Sequence, residues 1–185
     1  MLEVRSETAR GRFARRALFT GLFALMSSGS AVAAVNAYLL VDGIDGGSTS
    51  REKAIDLLSF SEGVARAVAT TAGAGARVGK VSCSDLSIMK VVDVASVPLI
   101  KAAFTGQIIP HVTVIYDKPV GDKQQTYFTI TLSNAIVTSV QHSGSNENPT
   151  ESVSFSATAF AYSFSPEKDD GTLDKPLTFA GSCSG

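Results

Sequence analysis

The chain has 185 residues, 44% of them hydrophobic, and its 16 Lys and Arg against 17 Asp and Glu leave a formal net charge of −1. A chain of this length supports one packed core. The near-neutral charge gives no basic field that would attract nucleic acid or anionic lipid. We therefore expect one domain and no nucleic-acid partner.

Residues 1–34 have the three zones of an export signal. Several arginines precede an apolar run at 17–26, and small residues follow up to Ala34. This order is typical of a cleavable signal peptide, of the general secretory type or, given Arg15 and Arg16, of the twin-arginine type. The apolar run is about half of the roughly 20 residues needed to span a bilayer. We expect no stable membrane insertion and a mature domain over 35–185.

The location of the product follows from where translation starts. With the signal, the protein is secreted or periplasmic. The alternative is a start at Met26, which removes the charged and apolar zones and leaves the product in the cytoplasm before any secretion.

After residue 35, apolar and polar residues alternate with a period of two. In the segment 126–132, Phe128, Ile130 and Leu132 face one way and the residues between them face the other. This periodicity predicts strands at 37–41, 53–61, 80–89, 111–116, 126–132, 134–141 and 151–164, and more weakly at 177–182. About eight strands with turn signals between them predict a mainly β fold, either a closed barrel or a sandwich.

Residues 63–79 interrupt this pattern. They are rich in Ala and Gly and show little periodicity. We interpret them as a long, extended and mobile loop that leaves the barrel.

One short helix is predicted between Ser96 and Gly106. Ser96 is the expected N-cap, Pro98 fits the first turn and Gly106 is the expected C-terminal stop. The face that should pack on the barrel is formed by Leu99, Ile100, Ala103 and Phe104.

The strand at 151–164 changes phase along its length. Val153 and Phe155 share one parity, whereas Phe160, Tyr162 and Phe164 share the other. Either the strand is covered on both faces, by the barrel core and by a helix or another subunit, or a β-bulge re-aims its second half. The sequence leaves both interpretations open.

Familiar catalytic and ligand-binding motifs are incomplete. Residues 73–80 lack the Gly and the following Ser or Thr of a phosphate loop, and residues 41–52 lack two acidic ligands of a calcium loop. His111 and His142 lie on different predicted strands without a ligand cluster. We therefore expect no enzyme, no cofactor and no metal site.

Cys83 and Cys183 are the only two cysteines. In an oxidising compartment they could form a disulfide between the C-terminal tail and the barrel. The alternative is a buried thiol at Cys83 and a free, exposed thiol at Cys183.

Four segments in order resemble the Hcp family, the ring-forming tube proteins of type VI secretion. They are LVDGIDGGS at 40–48, GKVSCSDLSIMKVVD at 79–93, FTITLSNAIVTSV at 128–140 and ESVSFSATAFAYSFSPEKDDG at 151–171. The resemblance implies a single tight β-barrel with a flanking helix, a homo-hexameric ring, stacking of rings into a tube, and secretion with effector cargo or a spike protein.

The resemblance also implies roles for particular residues. It places the extended loop at the contact with the next ring, involving Glu62, Gly63, Gly73, Gly75, Gly79 and Lys80. It places the late strand, with Phe160, Tyr162 and Phe164, at the seam between subunits.

Two features depart from the family. Glu62 stands where the family commonly has Trp before Gly63, and family tubes leave the cell without a cleavable signal. Two hypotheses follow: a non-enzymatic structural ring subunit of type VI secretion, or an independently exported Hcp-like binding module that is not part of a contractile tube.

Overall fold

The computed structural model describes residues 35–71, 75–121, 123–144 and 146–183, so the predicted signal at 1–34 lies outside the described residues. The described residues form eleven strands and one helix, which confirms the mainly β class with one short helix. The elements are β1 (Asn36–Val41), β2 (Ile55–Asp56), β3 (Ser59–Ser61), β4 (Val64–Thr71), β5 (Gly75–Cys83), β6 (Leu86–Val91), α1 (Ser96–Thr105), β7 (Ile108–Val120), β8 (Lys123–Ser143), β9 (Thr150–Ser156), β10 (Ala159–Phe164) and β11 (Leu177–Ser182).

Nine of these strands form one sheet, in the order β2-β1-β7-β8-β9-β6-β3, with β10 beside β8 and β11 beside β10. The central strand β8 has 21 residues and spans the two strands predicted at 126–132 and 134–141. Its first half pairs with β10, from Phe128 to Ser133, and its second half pairs with β9, from Ile136 to Ser143. β8 therefore connects the part of the sheet that contains β10 and β11 with the part that contains β9, β6 and β3.

The core follows the predicted parity in this strand. Ile130 and Leu132 are buried, whereas Thr129 and Thr131 between them are partly exposed. They pack with other fully buried apolar side chains, including Phe155 on β9. Burial of each such side chain contributes about 1.5–3 kcal/mol.

The segment predicted as one strand at 151–164 is two strands, β9 and β10, separated by Ala157 and Thr158. β9 lies between β8 and β6, and β10 lies between β8 and β11. The parity of the apolar residues changes because the chain turns between β9 and β10. Phe155 on β9 and Phe160 on β10 both point into the same core. The change of parity is therefore explained without a β-bulge and without cover on both faces of a single strand.

The helix differs from the prediction at its start and in its buried face. Its N-cap is Ala95, without a side-chain cap, and Ser96 is its first residue. The buried residues are Ser96, Leu99 and Ala102, whereas Phe104 is 89% exposed. The predicted end is confirmed, because Gly106 takes the left-handed conformation at φ 62°.

The predicted loop at 63–79 is a β-hairpin. β4 and β5 pair antiparallel, with a register shift between Arg66 and Val68, and form a two-stranded sheet of their own. The small residues of this segment hide the alternation that reveals a strand. They also suit close approach, since a Cβ at Gly79 would lie 3.0 Å from the Ala67 carbonyl oxygen.

The strand predicted at 53–61 is divided between two partners. Tyr38 on β1 is opposite Asp56 on β2, and Ser59 on β3 is opposite Met89 on β6. The strand predicted at 80–89 is likewise divided, between β5 and β6. A short turn separates the elements in each case, so the described strands outnumber the predicted ones.

Candidate assembly surfaces and a buried polar cluster

The residues predicted to form a ring-stacking loop lie along the β4–β5 hairpin. Glu62 and Gly63 precede β4, and Gly75, Gly79 and Lys80 lie on β5, while Gly73 lies outside the described residues. The hairpin exposes apolar side chains, with Val64, Val68 and Val78 each more than half exposed. Exposed apolar side chains of this kind are typical of contact surfaces.

Glu62 has a specific partner in the structure. The Tyr162 hydroxyl on β10 donates a hydrogen bond to Glu62 Oε1 at 2.7 Å. Burial, followed by this hydrogen bond and the carboxylate charge, raises the pKa of Tyr162 above its ordinary value. The residue that departs from the family pattern therefore ties the base of the hairpin to the main sheet.

This contact predicts a pH-dependent stability. A phenol whose pKa is raised by folding stabilises the folded state below its unfolded pKa of about 10, and this contribution is lost as pH rises further. We expect Tyr162→Phe to lower the free energy of unfolding by about 1 kcal/mol at neutral pH. Urea unfolding at several pH values should show a smaller decline above about pH 10 in the variant than in the wild type. An identical decline in both proteins would contradict the contact.

The predicted subunit-interface strand is β10, and its three aromatic residues differ in exposure. Phe160 is buried in the core, so its side chain is not available for contact at the predicted interface. Tyr162 is half-buried and Phe164 is exposed. On the neighbouring β11, Leu177 and Phe179 are also exposed. Phe164, Leu177 and Phe179 form what we call the β10–β11 surface.

A second apolar surface lies on the helix and its flanks. Val97 and Phe104 are seven residues apart and share one helical face, and Val94 and Ile108 flank the helix. All four side chains are more than 60% exposed. We call these residues the α1 surface. The sequence predicts that Phe104 packs on the barrel, because it lies four residues after Ile100 on the same helical face.

Cys83 at the end of β5 and Cys183 after β11 are paired, with their Cα atoms 5.8 Å apart and a sequence separation of 100. Both line a cavity of about 330 Å³ between the hairpin and the β10–β11 pair. The pair thus joins the base of the hairpin to the C-terminal tail.

A buried polar cluster lies beneath the start of α1. Lys90 on β6 and Glu151 on β9 are directly opposite each other and both buried, with Lys90 Nζ 2.7 Å from Glu151 Oε1. Lys90 Nζ also contacts Asp93 Oδ1 at 2.7 Å. The Ser96 hydroxyl donates to Glu151 Oε1 at 2.9 Å. The cluster therefore fixes the first turn of the helix to two strands.

The second oxygen of Glu151 has one close polar neighbour. Its Oε2 lies 3.0 Å from His142 Nε2 on β8, which gives an ion pair when the imidazole is protonated. The contact lacks hydrogen-bond geometry, and Oε2 has no hydrogen-bond partner among the residues that the structure describes. The buried Glu151 carboxylate thus depends mainly on Lys90 for its counter-charge.

The signal for this cluster was present in the sequence. Lys90 has the same parity as the apolar Leu86 and Ile88 in its strand. Glu151 likewise has the same parity as Val153 and Phe155 in its strand. Two oppositely charged residues at inward positions of neighbouring strands indicate a buried pair. Within the described residues, no group of three or more His, Cys, Asp or Glu side chains could hold a metal ion.

Within the part of the chain that the structure describes, no helix has both the length and the apolar character that a membrane crossing requires.

The fold is similar to that of solved type VI secretion proteins. One structure, described as a type six secretion system protein, has a TM-score of 0.74 at 27% identity and covers 80% of this chain and 96% of that one. Hcp1 from Salmonella typhimurium has a TM-score of 0.66 at 26% identity and covers 81% of this chain and 95% of that one. These similarities define the class as Hcp-like proteins of type VI secretion.

The sequence comparisons define the family. The family described as "Type VI secretion system effector, Hcp" matches residues 38–164. The protein hcp1 from Pseudomonas aeruginosa is 30% identical over 145 residues, which span 76% of this chain and 90% of that protein. The chain belongs to the Hcp family, which confirms the family resemblance of its four segments.

Proposed function

We propose that the protein is a non-enzymatic structural subunit that forms hexameric rings, and that the rings stack and carry effector cargo in type VI secretion. The observation that carries this proposal is the family match over residues 38–164. The fold similarity supports it, since the chain covers nearly all of the related structures.

We also propose that the main sheet closes into the tight barrel implied by the resemblance. The strand path ends in β2 and β3, which are adjacent in sequence. Leu57 N donates to Ala37 O at 3.0 Å, and Leu58 N donates to Met89 O at 2.8 Å. The same short segment thus bonds to β1 on one side and to β6 on the other, which supports closure.

A ring of identical subunits in head-to-tail contact requires two different complementary surfaces on each subunit. The α1 surface and the β10–β11 surface fit this requirement, because both expose large apolar side chains. We propose that the α1 surface of one subunit packs against the β10–β11 surface of the next. Tyr162 and Phe164 then lie at or beside the seam.

This arrangement predicts the effect of Phe104→Ser. Phe104 is 89% exposed, so the substitution should change the free energy of unfolding of the protomer by less than about 0.5 kcal/mol. Loss of a buried aromatic contact at each seam costs about 2 kcal/mol, a roughly 30-fold weaker contact. Native mass spectrometry across a dilution series should show rings that dissociate at higher protein concentration than the wild type.

Val68→Ser is the matched control for the ring contact. Val68 is 58% exposed on the hairpin, outside both proposed seam surfaces. We expect this variant to keep intact rings and to weaken only their stacking. Equal loss of rings in both variants would contradict the assignment of the seam to α1.

The second candidate is an exported Hcp-like module outside a contractile tube. Two observations favour it: the signal-like zones of residues 1–34 and the Cys83–Cys183 pair, which suits an oxidising compartment. Native mass spectrometry of the protein from its own host separates the candidates. Six-fold assemblies of subunits that begin at Met26 support a tube protein assembled in the cytoplasm. Cleaved monomers that lack two hydrogens support a secreted or periplasmic module.

A further inference from the structure

The β4–β5 hairpin is a separate two-stranded sheet, and its base is tied to the main sheet by side chains. Ser84 N donates to Gly63 O at 2.9 Å and closes the base itself. Tyr162 reaches Glu62 from β10, and Cys83 is paired with Cys183. Of these ties only the cysteine pair is covalent, so it has the largest influence on how firmly the hairpin is held.

The C-terminal strand depends on the same pair. β11 pairs with β10 along its whole length, and β10 is its only partner strand within the described residues. Leu177 and Phe179 are each 68% exposed, so side-chain packing adds little to the backbone pairing. Beyond the strand, Cys183 N donates to Thr158 O at 2.7 Å. The cysteine pair is thus the main fixed point of the tail.

Both cysteines are accessible without unfolding of the core. They are partly exposed, and they line the cavity of about 330 Å³ together with Val64, Phe160 and Phe179. A small thiol or disulfide can therefore reach the sulfur atoms from solvent. Accessible disulfides are the ones that exchange with external thiols.

We infer that the Cys83–Cys183 pair is a redox latch that holds the β4–β5 hairpin and β11 together. On oxidation, the two thiols give up two electrons and two protons to an external disulfide, which becomes two thiols while the Cys83–Cys183 bond forms. On reduction, the hairpin and β11 loosen locally. The core around β1, β7 and the first half of β8 stays folded, because its stability comes from buried side chains.

One consequence rests on the proposed function, in which the hairpin contacts the next ring. A hairpin that is already fixed loses less conformational entropy when it makes that contact. Oxidised rings should therefore stack more strongly than reduced rings.

Hydrogen exchange measured by mass spectrometry tests the latch on the full mature chain. We compare oxidised wild type, wild type in dithiothreitol, and Cys83→Ser/Cys183→Ser. Reduction should accelerate exchange about tenfold or more in 64–71, 75–83 and 177–182, with little change in 108–116. The double variant should match the reduced protein and not respond to dithiothreitol.

Two results would overturn the latch. One is unchanged exchange in the hairpin and β11 after reduction. The other is equal acceleration of exchange throughout the chain, or unfolding, in the reduced wild type or in the double variant. That result would mean that the disulfide stabilises the whole fold rather than the hairpin and β11.

The assembly part is measured separately, by native mass spectrometry of the same oxidised and reduced samples. More stacked rings in the oxidised sample support the consequence, and equal stacking contradicts it. Absence of hexamers in both redox states would reject the proposed function, while the exchange data would still decide the latch.

Discussion

Lys90→Met is expected to lower the free energy of unfolding by about 3–5 kcal/mol, because it leaves the buried Glu151 carboxylate without its main counter-charge. Both side chains of the pair are fully buried. Methionine has nearly the same shape as the lysine stem, so the loss reflects charge rather than a cavity. Since the chain has no Trp, guanidinium unfolding followed by circular dichroism is the suitable measurement.

Lys168→Met is the matched control for this prediction. Lys168 Nζ lies 3.9 Å from Asp174 Oδ1, and both side chains are about half exposed. Exposed pairs of this kind contribute less than about 1 kcal/mol. The double variant Lys90→Met/Glu151→Leu removes both buried charges and should recover much of the lost stability. Equal stability of the two lysine variants would contradict the role of the buried pair.

Gly46→Ala is expected to cost about 3 kcal/mol, near the upper end for overpacking. A Cβ at Gly46 would collide with the Ala54 carbonyl and lie 2.5 Å from Ile55 N. These are backbone atoms that cannot rotate away, and Gly46 N itself donates to Lys53 O at 2.9 Å. The loop would have to separate from the start of β2. The same guanidinium unfolding measurement detects this loss.

Gly144→Ala is the control for the glycine prediction. A Cβ at Gly144 has no heavy atom within 4 Å. We expect its free energy of unfolding to stay within about 1 kcal/mol of the wild type. If Gly46→Ala is equally well tolerated, the close approach between residues 46 and 54 is absent in solution.

The sequence predicted the parts of the fold that depend on bulky alternation. Ile130 and Leu132 were assigned to the core because large apolar residues alternate with threonines there. The weak strand at 177–182 was predicted with the bounds that the structure has. The end of the helix was predicted because Gly106 is the residue type that adopts a positive φ at low cost.

The remaining parts depended on partners that are distant in sequence. The hairpin at 64–83 is built from small residues, so its pairing leaves no periodic trace. The turn between β9 and β10 became clear only from their different neighbours. Lys90 and Glu151 could have been predicted from their inward parity, but charged residues at such positions are usually assigned to the surface. Assembly roles rest on the family rather than on periodicity.

The pairing of distant strands also bears on how this protein reaches its fold. Asn36 on β1 is opposite Asp117, and Leu86 on β6 is opposite Phe155. Non-local pairing of this kind is associated with folding over milliseconds to seconds rather than microseconds. At typical synthesis rates of about 5–20 residues per second, Glu151 is made roughly 3–12 s after Lys90. During that interval β6 has no β9 to pair with, so the ribosome-bound chain carries a hydrated lysine and an open strand edge that a chaperone can recognise.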